Sequence, residues 1–352
     1  MSKTGRVVLI TWASVMTILA VGLIAFEAVR ILGKNNLNNK SATSSPMLTQ
    51  SEEPIPEDTG VKWQSDWVRY NGDVYDYNED ITTFLIMGID KDDEIATEVP
   101  EGTDGGQADS LFLLVLNPHK NSVQIIGINR NAMTDVDIYD DNGKYQNTVV
   151  AQIATQHGFG NGMEESCQYQ VKAVSNMFYQ LPIHGYAAIN MSAIKTINDE
   201  VGGVDVTPTV DFESGDFRFK DGETVHLDGD AAYAFLRGRS MTETGGADRR
   251  LVRQKQYLTA FIKKVIERTE TQPTIAVDIY KAISKQMVTD VSADQLSYIA
   301  STVSGYEFDS DSLILMAGQT KMGEAYEEFY PDDDAKYEMF LDVFYEKINP
   351  EG

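Results

Sequence analysis

The sequence predicts one α/β domain tethered by a single N-terminal transmembrane helix. Three observations carry this reading: a charge-free apolar stretch from Val7 to Phe26, three strand-length apolar runs between Thr82 and Ile128, and a long helical pattern from Arg249 to Arg268. The chain has 352 residues, room for one large domain or two small ones. Its 42% hydrophobic and 24% charged content is that of a globular protein with a real core.

The apolar stretch comes first. About 20 apolar residues at 1.5 Å each cross a bilayer core. A cleaved signal peptide has a shorter apolar run and a small-residue cleavage site, and neither stands out here, so the stretch reads as an uncleaved signal anchor. Lys3 and Arg6 precede it; Arg30, Lys34 and Lys40 follow. The dense charge of the short tail orients residues 1–6 to the cytoplasm and the rest outward. Residues 27–62 read as a flexible extracytoplasmic linker, with Ser44-Ser45-Pro46 and Glu53-Pro54-Ile55-Pro56 inside it. The domain is then 63–352, on the outer side of a single-pass cell-membrane anchor.

The strands come next. Thr82–Ile89 ends at Asp90, Ser110–Leu116 begins just after Asp109, and Ser122–Ile128 ends at Asn129-Arg130-Asn131. A hairpin-length turn, Asn117 to Asn121, joins the last two and brings Arg130 back to the end where Asp109 sits. If the first run pairs antiparallel with the second, Asp90 lies there too. Two carboxylates and an arginine at one edge suit a Mg²⁺-assisted phosphoryl site. The plain alternative is that Asp90 and Asp109 are turn residues that end strands. Asp90, Asp92, Glu94 and Glu101 mimic a calcium loop, but Ile95 occupies the position that needs glycine.

Formal net charge is -25, which argues against a nucleic-acid partner. Five arginines within seventeen residues (237, 239, 249, 250, 253) are a local exception. Asn198 to Val206 reads as a helix end, a glycine turn and a strand start. Gly222 to Asp230 reads as a turn, with Asp230 capping a helix Ala231–Leu236. Arg237 and Arg239 follow, where cations also complement the helix dipole. On the next helix the inward stripe is Leu258, Phe261, Ile262 and Val265. Extended backward it meets Gln254 and Arg250, a polar start that suggests a cavity, beside helix N-terminal amides that favour an anion. Arg249 and Arg253 read as surface or dipole partners.

This ordered series resembles the LytR-CpsA-Psr family of cell-wall enzymes. The motifs are strand-Asp90, Ala108-Asp109-Ser110, Ile128-Asn129-Arg130, Val201-Gly202-Gly203-Val204, Leu227-Asp228-Gly229-Asp230-Ala231, Leu236-Arg237-Gly238-Arg239 and Arg250-Leu251-Val252-Arg253-Gln254. They cover a core of about 81–268. The resemblance implies an α/β/α sandwich with a central mixed β-sheet and an apolar groove for a lipid tail. It implies a Mg²⁺-dependent phosphotransferase, with a pyrophosphatase side activity, that moves a glycopolymer from a polyprenyl-diphosphate carrier to peptidoglycan or a similar acceptor. By motif, Asp90 and Asp109 match metal-site carboxylates. Arg130, Arg237, Arg239, Arg250 and Gln254 match the diphosphate-binding set, and Asp109, Arg130, Arg237 and Arg239 the catalytic one. The family usually has Arg-Ser-Asp where this chain has Gln107-Ala108-Asp109, and Pro-Arg-Asp where it has Asn129-Arg130-Asn131. These changes keep a second class open, a non-catalytic binder of polyprenyl-diphosphate lipid or a cell-envelope regulatory protein.

A Ser or Cys hydrolase has little support. No nucleophile-elbow motif occurs, His119, His157, His184 and His226 sit in no triad context, and the one cysteine, Cys167, reads as a buried hydrophobe. A Gly-rich nucleotide loop with its lysine is absent as well.

Overall fold

The computed structural model describes residues 33, 45–48, 64, 66–92, 94–95, 105–140, 142–238, 246–303, 305–309 and 311–349. The expected tail, the anchor Val7–Phe26 and nearly all of the linker lie outside the described residues. Among the described ones, no helix is long and apolar enough to cross a membrane.

Among the described residues six strands make the central sheet: β1 (Thr82–Ile89), β2 (Ala108–Asn117), β3 (Ser122–Ile128), β4 (Gly185–Asn190), β5 (Met287–Thr289) and β6 (Leu313–Leu315). Their order is β5-β4-β1-β2-β3-β6. β1 runs antiparallel to β2, and β2 to β3; β1 is parallel to β4 and β3 to β6, so the sheet is mixed. The antiparallel pairing of β1 with β2 meets the condition the sequence left open. It sets Ile89 opposite Ala108 and brings the ends of β1 and β3 to one edge.

Side chains alternate across a strand, and the sheet is covered on both faces. Leu85, Met87, Leu111, Leu113 and Ile126 pack toward α1 (Glu164–Met177) and the last helix, Asp333–Phe344, through Val174, Phe340 and Phe344. Leu341, Phe344 and Tyr345, at the C-terminal end of the chain, are all in this core. Phe84, Phe112, Leu116 and Ile125 face the other way. They meet Leu251, Leu258 and Ile262 of the long helix Gly246–Thr271 and Tyr298 and Ile299 of helix Ala293–Val303.

A satellite core joins α2 (Ala193–Glu200), α3 (Gly229–Arg237) and the other flank of α4 (Gly246–Thr271). Three local expectations change here. The cap of α3 is Asp228, whose carboxylate accepts the Ala231 N–H at 2.9 Å. That position reaches the third helical amide, which Asp230, inside the first turn, cannot do. The segment read as a turn contains a short strand, Val225–Leu227, pairing with Val204–Val206. The single stripe of α4 is two: Leu258 and Ile262 face the sheet, while Phe261 and Val265 join Tyr257 in the satellite core. A helix wedged between two cores needs an apolar surface wider than one stripe.

Candidate active site

The register places Gly88 opposite Ser110 and Ile89 opposite Ala108, so Asp109 is the extra residue of a β-bulge. A bulge re-aims the side chain it carries. Asp109 is accordingly no turn residue: it sits inside β2, 7% exposed, and points at two arginines. Arg130 Nη1 donates to Asp109 Oδ1. Arg250 Nη1 donates to Oδ2 at 3.2 Å and its Nη2 to the Asp109 carbonyl at 3.1 Å. One turn further along α4, Gln254 Nε2 donates to Ser110 Oγ at 2.5 Å.

Gln107 has a part that its motif position did not reveal. Its Oε1 accepts from Arg130 Nη2 at 2.9 Å and steers the guanidinium. The Arg130 Nε–H is buried with no acceptor among the described residues, a donor left over at this edge. The approach to β2 is pinned by His157, fully buried, whose Nδ1 lies 3.0 Å from the Gly106 carbonyl. His157 Nε2 lies 3.9 Å from Cys167 Sγ, but burial pushes that thiol up to about 12, so the pair carries no thiolate at neutral pH.

Asp90 stands at the end of β1, exposed, with its N–H on the Gln107 carbonyl at 3.2 Å. Asp90 and Asp109 are thus on adjacent strands of one edge. Among the described residues, no group of three or more His, Cys, Asp or Glu side chains could hold a metal. A cation held at this edge would have only these two carboxylates, one of them already engaged by Arg130 and Arg250, and would take its other ligands from water and substrate phosphate, as Mg²⁺ does.

Arg237 stands apart from this group. Its Nη1 donates to Asp92 Oδ2 at 3.0 Å and touches the Tyr233 hydroxyl, which itself donates to Asp92 Oδ1 at 2.8 Å. The Tyr233 hydroxyl first, and then Arg237, hold the Asp92 carboxyl below its ordinary range; Asp92 in turn raises Arg237. Sequence reasoning missed Tyr233, although it lies one helical turn before Arg237. Arg239 lies outside the described residues.

Arg253 is corrected from the surface to the interior, at 5% exposure. It donates to the carbonyls of Phe235 (Nε, 3.3 Å) and Gly238, and its guanidinium lies 4.5 Å from the Phe212 ring centre. These are the orphan carbonyls at the end of α3, so the dipole-partner half of the expectation holds, for a neighbouring helix. Burial, with Arg250 and Arg249 adding repulsion, pulls this guanidinium down to about 10.

The polar row Arg250–Gln254 continues along α4 as Leu258 and Ile262 over the sheet. There Ile86, Leu114, Phe308 and Leu315 are only half-buried. Charged and polar side chains at the bulge thus give way along α4 to apolar ones packed against the sheet. The fold is a mixed sheet with a bulged carboxylate between two arginines, and the sequence profile of the LytR_cpsA_psr family matches residues 39–340: the chain belongs to that family. Among its relatives is the polyisoprenyl-teichoic acid–peptidoglycan teichoic acid transferase TagU of Bacillus cereus. It is 29% identical over 257 residues, covering 73% of this chain and 76% of TagU. Similar folds include TagV of B. subtilis (24% identity, TM-score 0.56, 75% of this chain and 95% of that one). Protein gbs0355 from Streptococcus agalactiae is another (20% identity, TM-score 0.60, 75% and 86%).

Proposed function

We propose that the chain is a membrane-anchored phosphotransferase that moves a glycopolymer from a polyprenyl-diphosphate carrier to peptidoglycan or another cell-wall acceptor. The observation that carries this reading is the row Arg250–Gln254–Leu258–Ile262, polar at the Asp109 bulge and apolar along the sheet. An amphiphile with an anionic head and a hydrocarbon tail matches that gradient. Family membership and the names of the relatives support it. Residues 7–26 would hold the domain on the outer membrane surface, with the linker as spacer.

Arg130 and Arg250, which here donate to the Asp109 carboxylate, would donate to phosphate oxygens of the substrate, and the spare Arg130 Nε–H adds a donor. Arg237, and Arg239 by motif, extend the cationic set. The acceptor hydroxyl oxygen bonds to the glycan-linked phosphorus. The bond from that phosphorus to the bridging oxygen breaks, and polyprenyl phosphate departs with the electron pair; the hydroxyl proton goes to solvent. Fixed donors aimed at developing negative charge are the main source of rate in such transfers. Mg²⁺, held by Asp90 and Asp109, would neutralise charge on the diphosphate. Water replacing the acceptor gives the pyrophosphatase side reaction.

Gln107 and Asn131 favour one other reading. Amides stand where the family usually has Arg and Asp, Gln107 engaged by Arg130 and Asn131 buried, which suits a lipid binder without turnover. The purified full chain, given a polyprenyl-diphosphate-linked glycan and peptidoglycan, separates them. Mg²⁺-dependent glycan transfer that disappears in Asp109→Ala supports the transferase. Tight donor binding with no product supports the binder.

A further inference from the structure

A hairpin of Met133–Tyr139 and Tyr145–Gln152 leaves the Arg130 edge directly. At its base Ile153 N–H donates to the Ala132 carbonyl at 2.9 Å and Ala154 N–H to the Arg130 carbonyl at 3.1 Å. Eight residues at ~3.3 Å put its far end roughly 25 Å away. The first strand lies against α1 and the 3-10 turn Ile153–Phe159, and Val136 is fully buried. The second strand is exposed from Tyr145 to Val150, and among the described residues its outer edge pairs with nothing.

Two features of this strand are unusual. Exposed edges in soluble proteins are blunted by charge or proline. Here no Asp, Glu, Lys, Arg or Pro occurs from Tyr145 to Met163, in a chain that is 24% charged. The second feature is Tyr145, which is 51% exposed yet fixed. Its hydroxyl lies 2.9 Å from Thr148 Oγ1, Thr148 donates to Asp137 Oδ1 at 2.7 Å, and Lys172 donates to Asp137 Oδ2 at 2.7 Å. Its ring meets Tyr139 edge-on at 6.0 Å, and Tyr139 stacks on Tyr169 at 3.9 Å. A solvent-facing ring gains little for its own fold from such bracing; a platform for a ligand needs it, because immobilising the ring beforehand lowers the cost of binding.

We propose that Tyr145 and the outer edge of this hairpin form a subsite for the uncharged glycan strand of the acceptor, resting on the transferase reading above. The braced ring offers an apolar face to a sugar ring. Asn147 and the unpaired backbone N–H and C=O groups offer both donors and acceptors to hydroxyl and acetamido groups. An anionic polymer finds no cation on this strand. A protein partner finds no continuous apolar patch, since Val149 and Val150 point to opposite faces. The subsite lies far from the reacting atoms, so it selects long acceptors through binding alone.

The test uses the full chain in detergent and the hexamer of N-acetylglucosamine. Calorimetry should show hexamer binding that weakens on the order of tenfold in Tyr145→Ala, the worth of one aromatic contact. Thr148→Val, which keeps the ring but cuts its brace, should fall between. In transfer assays Tyr145→Ala should raise the acceptor KM for long glycan strands, with kcat and donor KM unchanged. Equal hexamer affinity in wild type and Tyr145→Ala overturns the inference, as does a wild-type chain that binds no hexamer, whether or not it binds an uncharged alanine–glutamine pentapeptide. A chain that binds the hexamer through Tyr145 but transfers nothing would overturn the transferase reading and leave this subsite standing.

Discussion

Arg250→Ala probes the bulge most sharply. Asp109 is buried and answers to two guanidiniums; Arg250 supplies one carboxylate bond at 3.2 Å and one carbonyl bond at 3.1 Å, and is itself 11% exposed. Breaking a buried ion pair outright costs about 3–5 kcal/mol. Arg130 remains as a counter-charge, so the loss should sit nearer the ~1.5–3 kcal/mol of a single charged hydrogen bond. The effect on transfer should be larger. Losing one donor to developing phosphate charge costs about 2–4 kcal/mol, or roughly 30- to 900-fold in kcat/KM. Arg250→Lys keeps the charge but loses the fork, and should recover stability better than rate. Urea denaturation gives the first number and glycan transfer the second. Stability within ~0.5 kcal/mol of wild type together with unchanged kcat/KM in Arg250→Ala would refute the assignment.

Three further outcomes follow from particular contacts. Arg253→Ala removes two bonds to the α3 carbonyls and should cost about 2–4 kcal/mol in urea denaturation, with donor affinity of the folded fraction little changed. His184, buried with its Nδ1 accepting the Thr83 N–H at 3.1 Å, is pushed down to about 4 from an ordinary 6.5 by burial. The unfolded chain therefore binds more protons between these values, and stability is lost as pH falls from 6.5 toward 4, by about 3 kcal/mol. His184→Asn should shrink the difference between urea midpoints at pH 7 and pH 4.5. Asp92→Asn loosens Arg237 from an exposed pair worth at most ~1 kcal/mol; donor KM should fall by up to about fivefold with little change in melting temperature.

The parts of the site legible in the sequence are those set by local periodicity and short connections. The runs at 82–89, 110–116 and 122–128 appear as strands at 82–89, 108–117 and 122–128, and the five-residue turn put Arg130 and Asp109 at one edge. The polar start of the α4 stripe pointed to a cavity at Arg250 and Gln254, but that these side chains meet Asp109 and Ser110 is visible only in the structure. Contacts between distant segments had no such signal. Tyr233 and Arg237 reach Asp92 across more than 140 residues. The bulge at Asp109 depends on the register of β1, and β5 and β6 are three-residue strands that only their neighbours define. Arg253, read as a surface or dipole partner, is interior because a second core lies on its side of α4, and helix periodicity alone does not reveal that core.

The central claim is that Asp109, held between Arg130 and Arg250, is the working centre of a transferase. The most direct measurement is release of polyprenyl phosphate, with glycan appearing on peptidoglycan, by the purified full chain in Mg²⁺, beside Asp109→Ala. Transfer by the wild type and none above background by the variant is the predicted result. Transfer undiminished in Asp109→Ala, or donor bound tightly by the wild type and never consumed, would contradict it.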